Sequence, residues 1–302
     1  EEKVYGAGCP GMDPMRGAGF NLNGFGEGDA EYYAMNTIMP AVTGWVAFAF
    51  FFVAYALAVG GLLASTLHLG NPQRAMKAFS QWRTSWLSRE GVSAVLTLLV
   101  MAVYATGLIF FDKNLQIVGW IAALLSLLTV FTTSKIYNQL KTVPRWHMPL
   151  TPVLFLTYAL AGGALLSGQD TAAAVLLLVL TALQLAAWQM GDKAFKTAGH
   201  TIETATGLGH LGKVRLLEGP HSSPNYLMKE MVHVVGRKHS QKLRVIATIT
   251  LGLIPAALLL ALTFSHLLAL IAVISHLIGL FTSRWLFFAE AEHVVGLYYD
   301  KR

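Results

Sequence analysis

The stretch that decides the fold is residues 68–90, HLGNPQRAMKAFSQWRTSWLSRE, which separates two long apolar runs. These runs, residues 41–67 and 91–111, contain no Asp, Glu, Lys or Arg. Each is long enough to cross the roughly 30 Å hydrocarbon core of a bilayer as an α-helix. The polar, aromatic stretch between them is therefore predicted to lie at a membrane surface, where an amphipathic molecule can dock and exchange protons.

The composition of the whole chain agrees with a membrane protein. The 302 residues are 55% hydrophobic and only 13% charged, with a mean hydropathy of +0.54, whereas soluble proteins carry about 25% charged residues. We predict an all-α fold, a polytopic transmembrane helix bundle. Seven helices are expected, at about residues 41–67, 91–111, 115–134, 150–168, 172–190, 245–264 and 266–288.

Two regions are predicted along the sequence. Residues 1–39 form an acidic, glycine-rich segment outside the bilayer, and residues 40–302 form the transmembrane anchor domain, with a basic loop at about 191–244. Within that loop, residues 222–235 favour a surface helix that lies on anionic lipid or serves as a docking platform for a partner. The chain does not begin with Met, so a cleaved leader or an upstream helix is expected.

The basic residues predict the orientation. Loops after helices one, three and five, together with the C-terminal tail, hold 18 of the 22 Lys and Arg residues. Basic loops stay in the cytoplasm. We therefore predict a multi-pass protein of the bacterial inner membrane, with residues 1–39 periplasmic and the 68–90 loop and C-terminus cytoplasmic. The same topology explains the basic charge, so membrane lipid and not nucleic acid is the expected surrounding partner.

Three residues of the 68–90 loop suit chemistry on a quinone head group. His68 ends helix one, Arg74 follows the turn at Gly70 and Pro72, and Glu90 is expected to open helix two. An imidazole can hydrogen-bond a quinone carbonyl, and a nearby carboxylate can relay protons. The alternative is interfacial anchoring, with Trp82 in the aromatic belt and Arg74 and Arg83 on lipid phosphates.

Two further candidates lie on the same predicted side. Tyr137 belongs to the loop after helix three, together with Asn138, Trp146 and His147. Arg284 lies near the inner end of helix seven. Its guanidinium can extend to the interface, or it can turn into the bundle and pair with an acid, for which the candidates are Glu90, Glu290 and Glu292.

The sequence argues against a metal centre in this protein. An iron–sulfur cluster usually needs four cysteines, and Cys9 is alone. His266 and His276 lie roughly 15 Å apart along one helix, too far to bind one haem iron together. His276 is instead expected to hydrogen-bond between helices, and the pairs Gly60-Gly61 and Gly162-Gly163 to mark close helix packing.

Several motifs resemble the membrane-anchor subunit of the dimethyl sulfoxide reductase family. The first is fairly specific, the others support it, and the similarity runs from about residue 55 to 299. The motifs are His68-Leu69-Gly70-Asn71-Pro72-Gln73-Arg74-Ala75, Leu87-Ser88-Arg89-Glu90, Ile136-Tyr137-Asn138, Thr142-Val143-Pro144-Arg145-Trp146, Thr151-Pro152, Gly162-Gly163 and Arg284-Trp285-Leu286-Phe287-Phe288.

The resemblance implies an anchor without metal, which binds an iron–sulfur electron-transfer subunit and a molybdopterin catalytic subunit. It implies electron exchange with ubiquinone or menaquinone, at a site to which a His, an Arg and a Glu contribute. These residues fall on His68, Arg74 and Glu90. The family anchor usually has eight helices, so the first is expected upstream of residue 1.

Within that family, the protein is similar to the sulfite-oxidising anchors, in which the catalytic subunits stay in the cytoplasm. Residues 213–217 and 225–227 look more like those members, and the 68–90 loop is on the predicted inner side. Three alternatives remain. They are a quinol-oxidising anchor of a dimethyl sulfoxide or other oxyanion reductase, a structural anchor without a quinone site, and, in another class, a secondary transporter.

Overall fold

A computed structural model describes residues 43–67, 76–77, 79–218, 234–261 and 266–299, and these contain helices but no strand. The predicted 1–39 segment, His68, Arg74 and most of the predicted 222–235 helix lie outside the described residues. The helices are α1 Gly44–Leu67, α2 Trp86–Phe110, α3 Gln116–Asn138, α4 Leu150–Leu166, α5 Asp170–Ala198, α6 Ile202–Thr206, α7 Val234–Lys238, α8 Ser240–Thr248, α9 Ile254–Ala261 and α10 His266–Ala289.

The polytopic helix bundle is confirmed. In the described residues, six segments are long and apolar enough to cross a membrane: α1, α2, α3, α5, the α8–α9 segment and α10. Helix α4, which corresponds to the fourth predicted helix, is apolar but has only 17 residues. Large apolar side chains such as Trp45, Phe52 and Leu57 are exposed on α1, as expected for a helix that faces lipid.

Helix α2 begins five residues before the predicted start, because Ser85 caps it. The Ser85 side chain accepts a hydrogen bond from the backbone N–H of Ser88, and a serine in this position satisfies one of the free donors of a first turn. Glu90 therefore lies in the second turn. The expectation that Glu90 opens the helix is corrected.

Helix α5 continues eight residues beyond its predicted end. The acid in this extension, Asp192, accepts hydrogen bonds from Arg145 and Arg244, so its charge is balanced without ending the helix. The predicted basic loop at 191–244 thus begins in the last turns of α5 and ends in α8.

A π-helical segment, Ile249–Leu253, joins α8 to α9. Pro255 follows it, and proline has no N–H to give to the carbonyl four residues earlier, which is that of Leu251. The Leu251 carbonyl is instead hydrogen-bonded to His276 Nδ1 at 2.7 Å. The predicted hydrogen bond of His276 between helices is confirmed.

The molecule divides into two compact units. The first comprises the described residues within 43–133 and 163–173, and the second those within 134–162 and 174–299. In the first unit, Tyr55 of α1 donates to the Leu98 carbonyl of α2 at 2.5 Å. In the second, Trp188, Ala247 and Leu286 form a buried cluster.

Candidate functional site

Glu90 is held between two helices of the first unit. Its side chain is half-buried, and its Oε1 accepts a hydrogen bond of 2.6 Å from the Thr133 hydroxyl of α3. Its Oε2 makes no hydrogen bond to a described residue. One carboxylate oxygen is therefore positioned by the protein, while the other remains available to water or to a bound molecule.

A seam of hydroxyl groups continues from Glu90 between α2 and α3. Ser93 Oγ lies 3.2 Å from Thr132 Oγ1, and one turn further Thr97 Oγ1 lies 3.0 Å from Thr129 Oγ1. Hydroxyl pairs of this kind hold membrane helices together. The seam therefore sets the position of Glu90 relative to α3.

The loop before α2 is fastened by Arg89. Its Nε donates to the Trp82 carbonyl at 3.0 Å, and its Nη2 donates to the Arg83 carbonyl at 2.6 Å. The guanidinium also lies 4.3 Å from the Trp86 ring centroid, within cation–π range. Trp82 and Arg83 are thereby placed just before the helix that carries Glu90, with both side chains exposed.

Tyr137 lies in the last turn of α3 and not in the loop after it, because the helix continues to Asn138. It belongs to an aromatic cluster of the second unit. Its ring centroid is 5.3 Å from that of Phe287 and 5.4 Å from that of Trp146. Both pairs are edge-to-face, an arrangement that aromatic rings prefer. Trp146 Nε1 donates to the Phe287 carbonyl at 2.9 Å. Asn138, next to Tyr137, donates to the Met148 carbonyl, so the loop that carries Trp146 is tied to the end of α3.

Arg284 joins the same cluster from α10. Its guanidinium carbon lies 4.3 Å from the Phe155 ring centroid and 4.7 Å from that of Phe287. No carboxylate of the described residues forms an ion pair with it. Of the two expectations for Arg284, the second is the nearer one, since the side chain turns toward other helices of its unit. It contacts aromatic rings there, however, and not Glu290.

Glu290 instead belongs to a network of four charges. Its carboxylate accepts from Arg244 at 2.7 Å and lies 3.4 Å from Arg145. Both arginines also bind Asp192, each at 2.6 Å. The network joins the loop after α3 to α5, α8 and the end of α10.

The carbonyls at the end of α10 have a further donor. Arg237 donates to the Ala289 carbonyl at 3.1 Å and to the Ala291 carbonyl at 2.7 Å. Burial lowers the pKa of Arg237 from its ordinary value, although guanidinium remains charged in proteins. In the described part of the protein, no group of three or more His, Cys, Asp or Glu side chains has an arrangement that suits a metal ion.

The sequence of this chain matches a known protein family. A model described as DMSO reductase anchor subunit (DmsC) matches residues 43–290. The chain belongs to this family. The match begins just before α1 and ends just after α10, so it covers most of both units and the residues around Glu90 and Arg284. As a DmsC-family anchor, the protein is a membrane subunit of a molybdoenzyme complex. The alternative of a secondary transporter is therefore not pursued.

Two relatives of this DmsC-family anchor differ in the extent of their match. The C subunit of sulfite dehydrogenase from Allochromatium vinosum is 30% identical over 301 residues, which cover 89% of this chain and 91% of that protein. The C chain of anaerobic dimethyl sulfoxide reductase from Escherichia coli K12 is 31% identical over 124 residues, 35% of this chain and 38% of that protein. No solved structure matches.

Several contacts that build the anchor were not predicted from the sequence. Arg89 and Thr133 hold the surroundings of Glu90, and Arg145 with Glu290 forms the centre of the charge network. A charged residue next to an apolar run was a signal for Arg89 and for Glu290. No signal in the sequence paired Thr133 with Glu90, because the two residues are 43 positions apart.

Proposed function

We propose that this anchor subunit passes electrons from sulfite oxidation to the membrane quinone pool. One observation carries the proposal: the similarity to a sulfite dehydrogenase anchor extends over nearly the whole of both proteins. In this account, a molybdopterin catalytic subunit oxidises sulfite, and an iron–sulfur subunit brings the electrons to the anchor. A bound quinone, ubiquinone or menaquinone, supplies the two-electron acceptor.

The quinone site is proposed at His68, Arg74 and Glu90, with Trp82 and Arg83 in the same loop. The position of Glu90 supports this assignment, because Thr133 holds one of its oxygens while the other has no partner among the described residues. A carboxylate placed in this way can pass a proton from water to a neighbouring acceptor. Tyr137 and Arg284 lie in the second unit, and their part in the reaction stays a prediction.

The proposed orientation places the quinone loop and the C-terminus in the cytoplasm and residues 1–39 in the periplasm. The distribution of Lys and Arg supports it, because 18 of 22 fall on one side of the predicted topology and basic loops are retained in the cytoplasm. Reporter enzymes fused at residues 168–171 and at the C-terminus test this orientation. We expect periplasmic activity at the first position and cytoplasmic activity at the second; a cytoplasmic 168–171 turn would contradict the sulfite-oxidising assignment.

A second candidate function is the reverse electron flow, from quinol to an S-oxide or another oxyanion. It is favoured by the description of the family and by the partial match to a protein of dimethyl sulfoxide reductase. That match covers 38% of the relative, so it carries less weight than the full-length one.

The two functions separate in one experiment on the purified complex. Sulfite-dependent reduction of a soluble quinone analogue is measured beside dimethyl sulfoxide-dependent oxidation of the corresponding quinol. We expect the first reaction and not the second, together with molybdenum and iron–sulfur signals in the purified material. Quinol oxidation by the S-oxide, without sulfite oxidation, would establish the second candidate.

A further inference from the structure

Arg284 is a positive charge in a membrane helix without a carboxylate partner among the described residues. Its side chain is half-buried, and it makes no hydrogen bond to a described residue. Aromatic rings cover it at 4.3–5.9 Å, and cation–π contacts offset only part of the cost of removing a charge from water. A buried charge in a membrane protein normally has a partner of opposite sign.

The nearby acids do not supply that partner. Asp192 and Glu290 are engaged by Arg145 and Arg244, with contacts of 2.6–3.4 Å. Two negative and two positive charges balance within this network. The charge of Arg284 is therefore additional to it.

A small cavity adjoins both Arg284 and Arg145. Its volume is about 40 Å³, which is room for a few waters or one monatomic anion. A cavity that holds a benzene ring is larger, at about 150 Å³. This cavity is therefore of a size that suits a small ion.

Side chains that line the cavity carry three N–H donor groups without an acceptor among the described residues. The Nε of Arg145 is buried and has no hydrogen-bond partner, a rare condition that calls for an explanation. The Arg284 guanidinium is the second group, since it donates to no acceptor among the described residues and its carbon lies against the Phe155 and Phe287 rings. The amide nitrogen of Gln184 is the third, because the amide oxygen is the atom bonded to Tyr158.

The remaining polar groups of the cavity are compatible with a bound anion. Tyr158 OH lies 2.8 Å from both Gln184 Oε1 and Ser283 Oγ, so it orients the amide that faces the cavity. Glu290 also lines the cavity and by itself would repel an anion. Each of its oxygens, however, is bound by an arginine, which reduces that repulsion.

We propose that this cavity binds a small inorganic anion, such as chloride, through Arg284, Arg145 Nε and the Gln184 amide. Water molecules could satisfy the same donors, but they would leave the charge of Arg284 uncompensated. The anion supplies both the acceptor atoms and the missing negative charge. The site does not depend on the proposed quinone reaction.

The test uses the purified complex and follows its thermal unfolding as chloride replaces gluconate at constant ionic strength. We expect a saturable rise of Tm, because a ligand that binds only the folded state stabilises it. In Arg284→Gln, the half-maximal chloride concentration should rise at least tenfold. The control is Arg215→Gln, which removes an exposed arginine of the same unit and should leave the titration unchanged.

Two results would overturn the proposal. One is a wild-type Tm that does not respond saturably to chloride, which would mean that the cavity holds only water. The other is an equal response in wild type and Arg284→Gln. If Arg284→Gln does not yield a folded complex, Gln184→Met takes its place, since it keeps the side-chain volume and removes the amide donor. A several-fold weaker chloride response supports the site, and an unchanged response refutes it.

Discussion

At the level of single residues, the Thr133 hydroxyl is the contact that positions the Glu90 carboxylate. Thr133→Val keeps the shape of the side chain and removes the hydrogen bond, which is worth on the order of 1 kcal/mol, or about fivefold. We expect sulfite-dependent quinone reduction to fall by about that factor, with reduction of an artificial acceptor unchanged. Thr106→Val is the matched control, because the exposed Thr106 hydroxyl bonds to the Ala102 carbonyl and to no other group of the described residues.

The two acids of the charge network should differ in their effect on stability. The Glu290 side chain is 5% exposed, whereas that of Asp192 is 43% exposed. Breaking a buried ion pair by removing one partner costs about 3 kcal/mol, while an exposed pair is worth about 1 kcal/mol or less. We expect Glu290→Gln to lower the free energy of unfolding in detergent by clearly more than Asp192→Asn does. Equal losses would show that burial does not govern this network.

At the level of helices, close packing occurs at glycines that the sequence analysis did not select. A Cβ at Gly279 would overlap the backbone of Leu251, and one at Gly252 would overlap the Thr181 hydroxyl. By contrast, a Cβ at Gly60 or Gly61 would meet no described atom within 4 Å. The prediction of close packing at Gly60-Gly61, and at Gly163 of the Gly162-Gly163 pair, is therefore wrong for the described part of the protein.

This difference between glycines predicts a difference between variants. Gly279→Ala forces α10 away from the π-helical segment, and overpacking of this kind costs about 1–3 kcal/mol. Gly163→Ala is the control, since a Cβ there meets no described atom within 4 Å and alanine favours helix. We expect Gly279→Ala to lower Tm and Gly163→Ala to leave it unchanged or slightly raised. A Gly279→Ala protein as stable as wild type would contradict the observed packing.

Helix positions could be predicted from the sequence because apolar runs free of charge mark them directly. The departures occur where a residue from a distant position alters the local preference. Helix α5 tolerates Asp192 because Arg145 and Arg244 form ion pairs with it. The π-helical segment precedes Pro255, which has no N–H for the Leu251 carbonyl, so this carbonyl is hydrogen-bonded to His276. Neither effect is visible in a local stretch of sequence.

At the level of the whole molecule, the family could be predicted from the sequence, but the surroundings of Glu90 could not. The motif at 68–90 carries the resemblance, and the family match includes it. The contacts that build the second unit join residues as far apart as Arg145 and Glu290. Composition and spacing therefore indicated that polar groups gather near the helix ends, without indicating which of them pair.

The central claim is that sulfite electrons reach quinone at the site that contains Glu90 and His68. The most direct measurement is sulfite-dependent reduction of a soluble quinone analogue by the purified complex, with Glu90→Gln and His68→Ala beside wild type. Glu218→Gln, an exposed acid in the 207–218 loop, serves as the control.

We predict a loss of quinone reduction on the order of 10²-fold in Glu90→Gln, as expected for removal of a proton-transfer group. We predict a comparable or larger loss in His68→Ala, while sulfite still reduces an artificial acceptor in every variant. Quinone reduction at the wild-type rate in both variants would place the reaction elsewhere and contradict the claim.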